Sequence, residues 1–275
     1  MTGDGRQRRP QGDRSGVARF VAVSKSDHIA TVRLERPEAR NAISGQMADD
    51  IAAAFREVSA DPDVWVILLT AAGDKAFCVG ADLKERASFS LEQYHENRKQ
   101  IRAMFEAIRE VPQPIVAVPF GYALGGGFEL VLSCDLVVAE ETTEFGLPEA
   151  RVGLIPAGGG TQLLARKVGP ARAKELIFTG DRFGIAEAFE MGLIYDAVPF
   201  EALEEAAVHL ARDICRSSPV AVRQAKAAID AGLGVPLEDG IAIEHDAWKV
   251  VIESEDRAEG IAAFNEKREP RWKNR

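Results

Sequence analysis

Short apolar runs alternate with amphipathic segments over the first 200 residues of the chain. Two apolar runs around a polar tetrapeptide predict a β-hairpin within residues 20–34. Ser44 is a predicted N-cap for a helix over residues 45–59, where apolar side chains recur every three or four positions. Residues 64–70 are apolar on both faces, which is typical of a buried strand. This alternation of strand and helix predicts an α/β fold.

The same periodicities predict the rest of the core. The predicted strands cover residues 76–79, 115–118, 135–139 and 194–198, and the predicted helices cover residues 90–111, 128–134, 171–178 and 185–191. A glycine turn at 158–160 leads into one further helix that is expected to end near residue 168. Two prolines and two glycines predict an irregular loop over residues 143–156.

From residue 201 onward, helix is expected to follow helix. The predicted helices cover residues 201–216, 219–231, 236–254 and 256–268, the last with a capping-box signal from Asp256 to Glu259. The last two helices carry a large apolar face that includes Trp248 and Phe264, and such a face is expected to dock on the core or on another subunit. The chain is therefore divided into a disordered polar tail (1–16), a core (17–200) and a helical oligomerisation region (201–275).

Composition and charge exclude several classes of protein. The formal net charge of −9 argues against nucleic acid as the main partner. Three cysteines and four histidines show no metal-ligand or disulfide spacing, so we expect no metal site and a reducing compartment. The first 16 residues contain no apolar signal segment, and no apolar run approaches the length of a membrane span. We therefore expect a cytoplasmic protein that does not contact a membrane.

Two glycine-containing turns follow predicted strands. One is formed by Gly80, Ala81 and Asp82, and the other, at residues 121–127, leads into a predicted helix. A helix start leaves backbone N–H groups without partners, and glycines let a ligand atom approach them closely. Two such donors can stabilise an oxyanion, and one donor typically contributes about 10²–10³ in rate. The alternatives are tight strand–helix packing at the second turn, and an ordinary turn glycine with Asp82 as a helix N-cap at the first.

Glu129 is the first candidate for acid/base chemistry. It lies three residues after Gly126, so in a helix its carboxylate and the Gly126 N–H face the same way. A carboxylate beside an anion-stabilising amide suits proton transfer next to a carbonyl that becomes an oxyanion. The alternative is a solvated carboxylate beside a packing turn. For the glycine run at 158–160 we favour helix packing over a ligand site.

Together, these segments resemble the enoyl-CoA hydratase/isomerase family, also called the crotonase family, over about residues 17–275. The resemblance rests on residues 36–42 (RPEARNA), 76–85 (AFCVGADLKE), 121–129 (GYALGGGFE), 145–162 (FGLPEARVGLIPAGGGTQ) and the ending 263–268 (AFNEKR). It implies a spiral of ββα units followed by a helical trimerisation region, in a homotrimer or a dimer of trimers.

The resemblance also implies a reaction and its residues. The main-chain N–H groups of Ala81 and Gly126 would form an oxyanion hole for the thioester of an acyl-CoA, and Glu129 and Glu149 occupy the family's two catalytic positions. The residues implied to line the coenzyme A path are Ala81, Asp82, Leu83, Lys84 and Gly126, with Lys267 reaching the coenzyme A of a neighbouring subunit. The presence of both glutamates favours hydration of an α,β-unsaturated acyl-CoA to a 3-hydroxyacyl-CoA, as in fatty acid metabolism, with no cofactor beyond the substrate's coenzyme A.

Several alternatives stay open at this point. A Δ3,Δ2-enoyl-CoA isomerase or another acyl-CoA lyase of the same family would share the fold, and a non-catalytic RNA-binding relative belongs to a different class. The segments resemble short-chain enoyl-CoA, methylglutaconyl-CoA and crotonobetainyl-CoA hydratases equally. Arg36 and Arg40 either bind the coenzyme A phosphates or face solvent.

Overall fold

The structure is a computed structural model that describes residues 20–275, so the predicted tail over residues 1–16 lies outside the described part of the chain. The strands are β1 (Val21–Ser26), β2 (Ile29–Leu34), β3 (Val66–Ala71), β4 (Ile115–Ala117), β5 (Tyr122–Leu124), β6 (Leu136–Glu140), β7 (Glu144–Gly146), β8 (Arg182–Phe183) and β9 (Asp196–Val198). The helices of the core are α1 (Gly45–Ser59), α2 (Leu83–Arg86), α3 (Leu91–Arg109), α4 (Gly126–Leu132), α5 (Gly160–Val168), α6 (Pro170–Thr179) and α7 (Ile185–Glu190). The C-terminal helices are α8 (Leu203–Cys215), α9 (Pro219–Gly232), α10 (Leu237–Ile252) and α11 (Glu255–Glu266).

The strands form two sheets, which confirms the predicted α/β class. The larger sheet has the order β1-β2-β3-β4-β6-β9, in which β1 pairs antiparallel with β2 and the other neighbours are parallel. The smaller sheet has the order β5-β7-β8. Parallel neighbours require long crossover connections, and these supply the helices that cover the sheet.

Strand β3, in the middle of the larger sheet, is buried on both faces, which explains why residues 64–69 are apolar throughout. Ile67 and Leu69 belong to a core cluster that also contains the apolar residues of α1 and α3. Val66 and Leu68 belong to a second cluster, on which α8 packs through Leu203, Ala207, Leu210 and Ala211. Strands buried on two faces cannot show the polar–apolar alternation of a half-exposed strand.

Helices α1 and α3 form as their sequences predict. The Ser44 hydroxyl accepts a hydrogen bond from the Met47 N–H at 3.2 Å and caps α1. Ser90 and Gln93 form a capping box at the start of α3, which satisfies two backbone groups at that end. Both helices bury one apolar stripe, and because α3 is amphipathic its other face stays in solvent.

Several predicted elements differ from the structure. The predicted strand at 76–79 is wrong, because only Cys78 forms a bridge, with Ala123, while a backbone carbonyl of the same segment accepts from the Asn41 side chain. The predicted irregular loop at 143–156 contains β7 and a 3-10 helix over Pro148–Val152. The short strand β5 separates β4 from α4, so the glycine turn does not follow the predicted strand directly. The predicted capping box from Asp256 to Glu259 is wrong, because Ser254 caps α11 and Asp256 is a buried residue of its first turn.

The C-terminal helices leave apolar surface uncovered in the single chain. More than half of the exposed large apolar side chains lie between residues 229 and 264, where Trp248 is 53% exposed and Phe264 is 84% exposed. The alternative that this face docks on the core of its own chain is therefore wrong. No helix among residues 20–275 is long and apolar enough to cross a membrane.

The first turn of helix α4 packs unusually closely against the backbone of Cys78. A Cβ atom added at Gly127 would lie 2.0 Å from the Cys78 carbonyl oxygen and 2.6 Å from its carbon. Backbone atoms cannot move aside as a flexible side chain can, so only glycine allows α4 to approach Cys78 this closely.

Gly127→Ala is therefore expected to destabilise the protein by about 1–3 kcal/mol or more, because the added methyl group overpacks a backbone contact. Chemical unfolding followed by circular dichroism measures this. Gly184→Ala is the matched control, since a Cβ there would meet nothing within 4 Å. Equal stability of the two variants would contradict the close packing of α4.

Candidate active site

Two backbone turns meet at the N-terminus of α4. Gly80 has a φ of +88°, and hydrogen bonds from Ile43 N to Gly80 O at 2.8 Å and from Asp82 N to Ile43 O at 2.9 Å hold its turn. A Cβ at Gly80 would lie 2.9 Å from the Gly126 nitrogen, and a Cβ at Gly126 would lie 3.8 Å from the Ala81 nitrogen. The amides of Ala81 and Gly126 are therefore neighbours in space, although 45 positions separate them in the sequence.

Both of these amides are free to bind a ligand atom. Within the described chain, neither the Ala81 N–H nor the Gly126 N–H donates a hydrogen bond to another protein group. Gly126 is the first residue of α4, where a backbone N–H has no intrahelical partner and carries positive potential. Two adjacent free donors of this kind can stabilise negative charge that develops on one oxygen.

Glu129 lies on the first turn of α4 and is only 4% exposed. Its Oε1 atom accepts hydrogen bonds from the Gly158 N–H at 2.6 Å and the Gly160 N–H at 2.8 Å. Burial raises the pKa of Glu129, while these N–H donors and the charge of Arg98 oppose the rise. The carboxylate is thus fixed in orientation, and its Oε2 atom remains available.

The glycine run at 158–160 both permits tight packing, as predicted from the sequence, and binds the Glu129 carboxylate. A Cβ at Gly158 would lie 2.2 Å from the Phe105 ring, so the run does permit tight packing. It also supplies the donors that orient Glu129, a role that the sequence analysis missed. Two arginines of α3 hold this loop, because Arg98 donates to Ala157 O and Arg109 donates to Gly158 O at 2.9 Å.

Glu149 faces the same space from the 3-10 helix that follows β7. Its Oε1 atom lies 3.0 Å from the position that a Cβ on Gly125 would take, and its buried Oε2 atom has no hydrogen-bond partner among the described residues. Burial raises the pKa of Glu149 to about 7, and the negative charge of Glu129 adds to the rise. A carboxyl group with this pKa can both give and take a proton near neutral pH.

The two amides and the two carboxylates share one cleft of about 240 Å³. Its walls are otherwise mainly apolar, and the apolar residues include Ile43, Val79, Ile101, Phe105, Leu154 and Ile155. Clefts with apolar walls and a few convergent polar groups are the usual form of small-molecule sites. The structure therefore brings together four of the predicted site residues in an arrangement suited to proton transfer beside an oxyanion.

Other predicted site residues lie elsewhere or have other contacts. Asp82 is buried, accepts from the backbone of α2 and forms an ion pair with Arg36 at 2.7 Å, so its carboxylate acts as the helix cap that the sequence analysis named as the alternative. Leu83 lines the mouth of the cleft and is 51% exposed. The exposed Lys84 and Lys267, the latter at the C-terminal end of α11, do not line the cleft of this chain.

Arginine residues of the cleft wall were missed by the sequence analysis. Arg86 ends α2, and Arg98 shares one face of α3 with Ile101 and Phe105. The spacing 98, 101 and 105 follows the helical period, so this wall was detectable from the sequence. Among residues 20–275, no cluster of three or more histidine, cysteine or acidic side chains is suited to hold a metal ion.

Comparisons with known proteins agree with this geometry. The sequence model of the family described as enoyl-CoA hydratase/isomerase matches residues 24–275. Enoyl-CoA hydratase domain-containing protein 2, mitochondrial, of Mus musculus is 42% identical over 248 residues, which cover 89% of this chain and 84% of that protein. Enoyl-CoA isomerase/hydratase fer4 of Mycosarcoma maydis is 39% identical over 245 residues, which cover 86% of this chain and 89% of that protein. A 1.8 Å crystal structure of enoyl-CoA hydratase from Bacillus anthracis matches with a TM-score of 0.91 and 41% identity, covering 93% of this chain and 100% of that one.

The raised pKa of Glu149 predicts a pH-dependent effect on stability. Folding raises this pKa from 4.5 to about 7, so the stability linked to the bound proton is fully present below pH 4.5 and is lost as pH rises through 7. Glu149→Gln removes the charge that this carboxyl group carries at pH 8. The change in the free energy of unfolding caused by the substitution is therefore expected to be more favourable at pH 8 than at pH 4.5 by roughly 1–2 kcal/mol.

Thermal unfolding of both proteins at the two pH values measures this difference. The control is Glu141→Gln, because Glu141 is exposed and lies outside the cleft. If Glu149→Gln changes stability equally at pH 4.5 and pH 8, the carboxyl group does not have a raised pKa.

Proposed function

The chain belongs to the enoyl-CoA hydratase/isomerase family, and from this premise we propose that it adds water across the α,β double bond of an enoyl-CoA thioester. The product is a 3-hydroxyacyl-CoA. The observation that carries the proposal is the meeting of two free backbone N–H donors, the buried carboxyl group of Glu129 and the half-buried one of Glu149 in one apolar cleft. Coenzyme A enters as part of the substrate, and the proposed reaction uses no other cofactor.

In the proposed reaction, the thioester oxygen lies between the amides of Ala81 and Gly126. Addition of water at the β-carbon moves electron density onto that oxygen and forms an enolate. Two preorganised donors and the N-terminus of α4 stabilise this charge more than they stabilise the neutral carbonyl, so they lower the barrier. Because the donors are main-chain groups in a fixed contact, little reorganisation is needed when the charge appears.

The two glutamates differ in a way that suggests their roles. Glu129 accepts two N–H hydrogen bonds, which favour its ionised form, so we assign it as the base that takes a proton from water. The water oxygen bonds to the β-carbon at the same time. Glu149 has the higher tendency to hold a proton, with a pKa of about 7, and delivers that proton to the α-carbon. Since the two groups interact, their titrations belong to the pair.

A second candidate is movement of the double bond within the acyl chain, as in a Δ3,Δ2-enoyl-CoA isomerase. The observation that favours it is the name of the Mycosarcoma maydis relative, which includes both isomerase and hydratase. Isomerisation needs a carboxylate that moves a proton between two carbons and needs no water. The second carboxyl group in this cleft, that of Glu149, favours hydration as the main reaction.

The proposal includes an assembly and a location. A homotrimer or a dimer of trimers would cover the apolar face of α9, α10 and α11, which one chain leaves exposed. Such an assembly would also give Lys267 a neighbouring cleft to approach. We place the protein in the cytoplasm, which is supported by three cysteines that are all free thiols.

Hydration of crotonyl-CoA, followed by the loss of enoyl-thioester absorbance, tests the reaction. Glu129→Gln and Glu149→Gln are each expected to lower kcat about 10²–10⁴-fold, because each removes one proton-transfer group. Glu141→Gln is the control that keeps full activity, as Glu141 is exposed outside the cleft.

Analysis of the products separates hydration from isomerisation. We expect wild-type protein to form 3-hydroxybutyryl-CoA from crotonyl-CoA. The Glu149→Gln variant is expected to lose hydration more than it loses any isomerisation of the double bond. A folded wild-type protein that hydrates no enoyl-CoA but shifts a 3-enoyl-CoA to the 2-enoyl isomer would replace the hydratase proposal by the isomerase one.

Analytical ultracentrifugation tests the assembly. The wild-type protein is expected to sediment as a trimer or a hexamer, and Phe264→Glu is expected to shift it toward smaller species because a charge replaces an 84% exposed aromatic side chain. Leu91→Glu is the control, since Leu91 is 75% exposed at the start of α3, outside the C-terminal helices. A monomeric wild-type protein would contradict the proposed assembly.

A further inference from the structure

Two guanidinium groups on the wall of the cleft have no acidic partner. Arg86 and Arg98 both line the cleft, and no described carboxylate lies within the 4.0 Å limit of an ion pair from either. By contrast, Arg151, on another part of the wall, pairs with Asp181. Arginine keeps its charge at all physiological pH values, so these two residues make part of an otherwise apolar cleft permanently positive.

Arg86 is held in place by neighbouring side chains. Its Nε atom donates to Asn97 Oδ1 at 3.0 Å, and Asn97 is only 4% exposed. The guanidinium also lies 5.5 Å from the centre of the Tyr94 ring. Its two terminal nitrogens donate to no group in the described part of the chain, so the planar end of the side chain is oriented and unoccupied.

Arg98 extends the same wall along α3. Phe105 packs against Gly158 beside Glu129, and Ile101 lies one turn earlier on α3. The backbone of Arg98 lies about 10 Å along the helix axis from that of Phe105. One terminal nitrogen of Arg98 donates to Ala157 O, and the charge of Arg98 opposes the rise in the pKa of Glu129 that burial causes. The cleft wall formed by α3 is thus apolar at Phe105 and Ile101 and becomes cationic at Arg98, whose guanidinium group lies against the loop at Ala157.

We propose that the acyl chain of the substrate ends in a carboxylate, which Arg86 and Arg98 bind. The inference rests on the proposed function, because it takes the cleft to be the acyl site. The short apolar stretch of wall suits a chain of a few carbons, and the guanidinium groups suit the two oxygens of a carboxylate. An acyl chain that ends in a quaternary ammonium group would meet like charge and is disfavoured.

The phosphates of coenzyme A are the other anions that these arginines could meet. Every acyl-CoA carries the same phosphates, so a phosphate contact would affect all acyl chains equally. A carboxylate contact affects only the substrates that carry one. The ratio of kcat/KM for glutaconyl-CoA to that for crotonyl-CoA therefore distinguishes the two sources of negative charge.

We expect wild-type protein to favour glutaconyl-CoA, and we expect Arg86→Gln and Arg98→Gln each to lower this ratio about 10–100-fold, as for the loss of charge-assisted hydrogen bonds. Arg98 is exposed, so its variant tests the idea even if the change at Arg86 disturbs folding. Arg102→Gln is the matched control, because Arg102 is on α3, pairs with Glu106 and does not line the cleft. An unchanged ratio in both cleft variants, or an equal loss on both substrates, overturns the inference.

Binding of unreactive thioesters separates this inference from the proposed reaction. Calorimetric titration with glutaryl-CoA and butyryl-CoA needs no turnover. Preference for glutaryl-CoA that falls in Arg98→Gln, without hydration of any enoyl-CoA, supports the carboxylate site and refutes the hydratase proposal. Efficient hydration of crotonyl-CoA together with equal affinity for glutaryl-CoA and butyryl-CoA supports the hydratase proposal and refutes the carboxylate site.

Discussion

The contact between two glycine turns is the constraint on which the rest of the candidate site depends. Gly80 and Gly126 approach so closely that one added carbon at Gly80 would lie 2.9 Å from the Gly126 nitrogen. One residue later, Gly127 lies against the Cys78 carbonyl. Because neither Gly80 nor Gly126 carries a side chain, the two turns come close enough for the amides of Ala81 and Gly126 to face the same point in the cleft. The first turn of α4 then carries Glu129 toward the same position, since a helix presents residues three apart on one face.

The carboxyl groups of Glu129 and Glu149 show how environment separates chemically identical side chains. Glu129 has two backbone N–H partners that compensate part of its burial, whereas Glu149 has a buried oxygen without a partner in the described chain. Burial raises both pKa values, and the charge on Glu129 raises that of Glu149 further. Backbone donors that favour the ionised form of Glu129, and burial without such donors at the Glu149 Oε2 atom, would suit a reaction in which one proton is removed and one is delivered.

Local sequence signals predicted the regular helices and the turns, and family resemblance predicted the crotonase-like fold, which the match to the Bacillus anthracis structure confirms. Helices α1 and α3 were predictable because their caps and apolar periods are local features. Strands β5, β7 and β8 have two or three residues each, too few to show a period, and they exist only through pairing with distant segments. The same limit explains the wrong strand at 76–79 and the missed hydrogen bonds from Gly158 and Gly160 to Glu129. The catalytic roles of the site residues stay predictions.

In the proposed reaction, the cleft divides its tasks between the backbone and the side chains, and this division bears on how substrate specificity can vary. The proposed oxyanion donors are main-chain groups, whose positions depend on glycines that cannot gain a side chain without a clash. The wall proposed to face the acyl chain includes side chains of α2 and α3, where Arg86 is partly exposed and Arg98 is exposed. Substitutions at exposed helix positions usually change stability little. The charge of this wall can therefore change while the contact between the two turns stays intact, so that in the proposed reaction substrate preference is separable from the chemistry at the turns.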